Sequence, residues 1–157
     1  MPLSPGEAFA PVRRIGGRTG WYFCDWLWRV RGLLDLMTGG VGMRRGRPDP
    51  DTPLPGSTLD FWRVQLYEPG RRLRLLAEMR VPGRAWLEFL AEAKGRFTLL
   101  RQTAYFDPRG LGGLLYWYLL WPIHEVMFRG MLRRMAAAAL DAAAPGTTTA
   151  PPVRRMV

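Results

Sequence analysis

With 157 residues the chain has the length of one domain, and its 48% hydrophobic and 12% aromatic residues exclude a disordered or fibrous polymer. Its 23 basic residues outnumber 13 acidic ones for a net charge of +10, and Lys94 is the only lysine, so the excess is arginine. Such an excess follows from codon usage in a GC-rich genome or from a polyanion-binding surface. Arg44, Arg45 and Arg47 form a close central cluster while the other arginines are spread over elements of both periods, and dispersed charge favours solubility, so nucleic-acid binding is expected to be weak and nonspecific.

In chain order, MPLSPGEAFAP lacks the basic start and apolar run of a secretory signal, and a cytoplasmic protein is expected. Phe9 to Ile15 reads as a short strand closed by Gly16 and Gly17. Trp21 to Met37 carries a dense, helically spaced apolar pattern ended by Gly39 and Gly40, with Gly32 as a kink or split. Cys24 within it is the only cysteine, which excludes an intramolecular disulfide and agrees with a reducing compartment. Val41 to Ser57, rich in Gly, Pro and Asp, reads as a loop.

Four strand-like segments follow: Leu59 to Tyr67, Arg72 to Val81, Arg84 to Ala93 and Arg96 to Phe106. Short turns rich in Gly and Pro separate them, so they pair as an antiparallel meander. Leu73, Leu75, Ala77 and Met79 alternate with Arg72, Arg74, Glu78 and Arg80; Ala85, Leu87, Phe89 and Ala91 alternate with Arg84, Glu88 and Glu92. Beyond Pro108 and Gly110 a long helix runs to about Leu140, interrupted by Pro122. It places Trp117, Leu120, His124, Met127, Phe128 and Met131 on one face and makes an i, i+4 pair of Glu125 and Arg129. Its most apolar stretch, Leu111 to Ile123, is shorter than the roughly 20 residues of a membrane span, so a buried or interfacial helix is expected.

An antiparallel sheet needs one face covered, and the long helix is the element able to cover it. The expected fold is α+β: a helix-grip domain over residues 8–143, with the meander wrapped around the C-terminal helix and a Pro-rich disordered tail over 144–157. A cavity lined by aromatic and methionine side chains is expected between sheet and helix.

Ile15 to Asp35 (IGGRTGWYFCDWLWRVRGLLD), Val41 to Arg47 (VGMRRGR), Leu59 to Val64 (LDFWRV), Leu75 to Phe89 (LLAEMRVPGRAWLEF) and Leu100 to Met131 (LRQTAYFDPRGLGGLLYWYLLWPIHEVMFRGM) carry a resemblance. They resemble a bacterial domain-of-unknown-function family of the START-like (SRPBCC) superfamily, over about Val12 to Met135. The resemblance implies a START-like fold, polyketide cyclases and lipid-transfer domains as distant relatives, and an NAD(P)-binding, atypical short-chain dehydrogenase-like domain as the usual upstream partner. No such domain precedes the match in this chain, and no NAD(P) chemistry is carried over. The resemblance supplies no catalytic residues, and position 24 differs from the small or aromatic residue usual there.

Gly40, Gly42 and Gly46 make a loose glycine motif, but a dinucleotide site needs a strand before it and a helix after it, so a turn is the expected reading. One His and one Cys offer no metal-ligand spacing, and no cofactor is expected. Cys24 is read as packing rather than as a nucleophile served by His124. His124 on the apolar helix face is either a structural histidine bonded to a carbonyl freed by Pro122 or a polar handle in the cavity, with Glu88, Gln102 and Tyr105 as companions. Trp62, Trp86, Tyr116, Trp117 and Leu120 complete the candidate ligand-binding wall. The expected function is binding of a hydrophobic or aromatic small molecule or lipid. The alternatives are a cyclase/aromatase-like or hydrolase-like enzyme using His124 as acid or base, and a nonspecific arginine-mediated nucleic-acid binder.

Overall fold

Ser4, Pro5 and Glu7 decide the first element. In the computed structural model, which describes residues 1–42, 46–49 and 52–144, the segment expected as a strand from Phe9 to Ile15 is instead helix α1, Pro5–Arg13. The Ser4 hydroxyl accepts the Glu7 N–H while the Glu7 carboxylate accepts the Ser4 N–H, and Pro5 suits the first turn. This capping box decides the segment against a short strand, and α1 buries Ala8, Phe9 and Val12. Arg44 and Arg45 of the basic cluster and the tail from Pro145 lie outside the described residues.

Helix α2, Asp25–Met37, starts four residues later than the apolar pattern, because Tyr22 and Cys24 take left-handed backbone with φ of 64° and 52°. It continues through Gly32 without a split. Among the described residues of the following loop there is no regular structure up to Ser57.

The sheet is the expected antiparallel meander, with five strands in the order β1-β2-β3-β4-β5. They are β1 (Thr58–Leu59), β2 (Trp62–Glu68), β3 (Arg72–Ala77), β4 (Gly83–Lys94) and β5 (Phe97–Pro108). The segment expected as one strand from Leu59 divides because Asp60 turns the chain with φ of 54°. Its carboxylate accepts the Trp21 indole N–H at 2.9 Å and the Gly17 amide at 3.3 Å. β3 stops at Ala77, short of Val81, where the chain leaves the ladder and the Glu78 amide donates to the Phe61 carbonyl.

Helix α3 is a single helix, Gly110–Ala143, which runs on through Pro122. Met127, Met131, Met135 and Ala139, spaced by four residues, form its buried stripe and meet Leu73, Leu75, Leu87 and Phe89 from the sheet in one core. α1 packs against both α3 and β4. Sheet wrapped around helix is the helix-grip arrangement. Among the described residues no helix is long and apolar enough to cross a membrane.

Candidate functional site

The buried methionine stripe holds the second half of α3 on the sheet, whereas the first half has only Gly113 fully buried. Between that half, α2 and the strands lies a cavity of about 60 Å³, and a more open groove of about 280 Å³ adjoins it. At 10–15 Å³ per water, the cavity has room for about four waters or one small ring.

Aromatic packing positions the walls. Asp60 anchors Trp21, which sits 4.9 Å from Trp28 and 6.0 Å from Trp62 between ring centroids, so helix α2 and strand β2 present two indoles to the cavity. On the other side Phe106 stacks on Trp117 at 5.2 Å, and His124 stacks on Phe128 at 5.4 Å. β4 and β5 contribute Ala85 and Ala104, whose small side chains leave the space open.

Four polar groups around this space lack partners. Trp28 and Trp62 are 4% and 5% exposed, and their Nε1 atoms are buried without a hydrogen bond. The same holds for His124 Nδ1 and for both amide atoms of Gln102, which borders the adjoining groove with His124. Buried polar groups are normally satisfied. No protein group bonds His124 Nδ1, so the carbonyl freed by Pro122 does not hold it.

Burial, and secondarily the positive charge of Arg31, holds the His124 pKa below its usual value, so the imidazole is neutral near pH 7. Arg31 reaches the cavity from α2 and donates to the Tyr116 hydroxyl at 3.1 Å.

Trp62, Tyr116, Trp117 and His124 line the cavity, and Gln102 lines the groove. Trp86 and Tyr105 border the cavity from the strands. Register nonetheless puts their side chains on the outer face with Arg74, whose guanidinium lies 5.9 and 5.8 Å from their ring centroids. Glu88 shares that outer face and pairs with Arg72 at 2.9 Å, and neither it nor Leu120 lines the cavity or the groove. Alternation explains Glu88: it stands between Leu87 and Phe89, which point inward. Cys24 lies outside the cavity at the start of α2. Trp28, Arg31 and Phe106 were not singled out as site residues. The signal for the first two was their i, i+3 spacing, which puts them on one side of α2.

No curated protein matched the chain, and no solved structure did. A family model does match, over residues 1–131, and its description is "Protein of unknown function (DUF2867)". On that match, which covers α1, α2, the whole sheet and most of α3, the chain belongs to the DUF2867 family of proteins of unknown function.

Proposed function

We propose that this protein is a START-like binding module that holds a hydrophobic or aromatic small molecule or lipid between the sheet and α3, without chemical change. The observation that carries the reading is the set of unpartnered buried polar atoms on Trp28, Trp62, His124 and Gln102 around an aromatic-walled space. An apolar wall with a few convergent polar groups is the usual make-up of a ligand site. Resemblance to SRPBCC proteins, with polyketide cyclases among them, points the same way, as does the helix-grip architecture. A cytoplasmic setting accords with the lone cysteine, and a separate NAD(P)-binding dehydrogenase-like protein is the partner the resemblance suggests.

Native mass spectrometry of the purified protein tests the reading. A defined apolar adduct that is released on denaturation is the expected result. Its absence, with no binding of added apolar probes, overturns it and leaves water as the filling.

A proton-transfer enzyme is the second reading, favoured by a neutral His124 with a free Nδ1. Its carboxylate companion is less well placed. Glu88 faces the other side of the sheet, and Glu125 in the groove pairs with Arg129 at 2.6 Å. Conversion of the co-purified compound by wild type but not by His124→Phe would favour this reading.

A further inference from the structure

The cavity is rich in donors and poor in acceptors, and this bears on the charge of what it holds. Its lining includes one cationic side chain, Arg31, and no aspartate or glutamate. Among the described residues Arg31 forms no ion pair, and its side-chain hydrogen bond goes to a neutral phenol, Tyr116. The indole nitrogens of Trp28 and Trp62 can only donate, and both are buried without an acceptor. A hydrocarbon would leave these donors unmatched and the guanidinium partly desolvated, which costs free energy.

Resting on the binding role proposed above, we propose that the ligand is a compact apolar acid, an aromatic carboxylate being the fitting class. Its carboxylate pairs with Arg31 and its ring lies among Trp117, Phe106 and Phe128. Planar carboxylates match the guanidinium fork, giving two parallel charge-assisted hydrogen bonds in place of a single bond to a phenol. Trp28 precedes Arg31 by three residues on the same side of α2, and both residues line the cavity. The aromatic walls then exclude water from the pair and strengthen it.

Calorimetric titration with two probes of matched shape tests this: benzoate, and acetophenone, which keeps the single ring and an acceptor oxygen but carries no charge. Wild type is expected to bind the acid at least about tenfold more tightly, which corresponds to 1.4 kcal/mol or more. Arg31→Gln should bring the two affinities together, and Arg31→Lys should retain a preference for the acid. Equal affinities in wild type, or a preference surviving in Arg31→Gln, would overturn the proposal. Because the wild-type comparison needs no variant, it stands even if Arg31→Gln fails to fold. Binding of the neutral probe alone sinks the acid and spares the binding role; binding of neither sinks both.

Discussion

His124 has a buried Nδ1 that no protein atom satisfies, so phenylalanine in its place breaks no hydrogen bond at that atom and keeps a ring against Phe128. His124→Phe should keep stability at pH 7.5 within about 1 kcal/mol of wild type. The two proteins should separate in acid. The unfolded histidine titrates near 6.5 and the folded one at lower pH, so between these values the unfolded chain binds more protons and stability is lost as the pH is lowered. The charged groups that line the cavity and groove beside His124 are Arg31 from α2 and the Glu125–Arg129 pair on α3; β5 contributes uncharged Gln102 there. Urea midpoints should therefore drop between pH 7.5 and 5.5 by more in wild type than in His124→Phe, and equal drops would contradict the account. Asp35 behaves oppositely: fully buried, it accepts the amides of Gly42 at 2.9 Å and Arg80 at 2.7 Å, tying the end of α2 to the chain beyond β3. Asp35→Ala orphans both donors and should cost at least about 2 kcal/mol by urea denaturation. The site was legible where helical spacing decides a face, as at Trp117 and His124. Arg31 was missed because an arginine two residues after Arg29 in an aromatic helix reads as surface, and only its contact with Tyr116 reveals where it points.

Two glycines of α3 differ in how closely another element approaches them. A Cβ on Gly130 would lie 2.4 Å from the Phe23 ring, whereas one on Gly112 would meet nothing within 4 Å. Gly130→Ala should therefore destabilise by about 1–3 kcal/mol through overpacking, and Gly112→Ala should stabilise by about 0.5–1 kcal/mol through reduced chain entropy. Thermal melts in which both shift in the same direction would contradict this packing. The outer side of the same helix exposes Leu111, Leu115, Tyr118, Leu119 and Val126, with Leu119 71% exposed. Its apolar character contributes little to the fold, so Leu119→Gln should change stability by less than about 0.5 kcal/mol. This is also why hydropathy alone overstated burial along Leu111 to Ile123. The meander was readable because period-2 alternation and Gly/Pro turns agree over Arg72 to Phe106. Near the N-terminus the same cue failed, since the capping box at Ser4 and Glu7 sets the local conformation of α1.

Across the whole molecule, α3 divides by what it touches. From Met127 to Ala139 every fourth residue is buried in the core shared with α1 and the sheet, whereas from Gly110 to Val126 the helix lies over the cavity with half-buried Trp117 and His124 facing it. Pro122 lacks an amide and so leaves one helical carbonyl unbonded in this first half. Local opening is governed by the buried contacts that must be broken. Amides between Leu111 and Val126 should therefore exchange with deuterium at least about tenfold faster than those between Met127 and Ala139, since 1.4 kcal/mol less opening free energy suffices for that ratio. Adding benzoate should slow exchange in the first half and around Arg31 while leaving the methionine stripe nearly unchanged, because the ligand would supply the missing contacts on that side alone. Uniform protection along all 34 residues of α3, or slowing confined to the second half, would show that the helix moves as one piece and that the space beneath its first half is not where the probe binds.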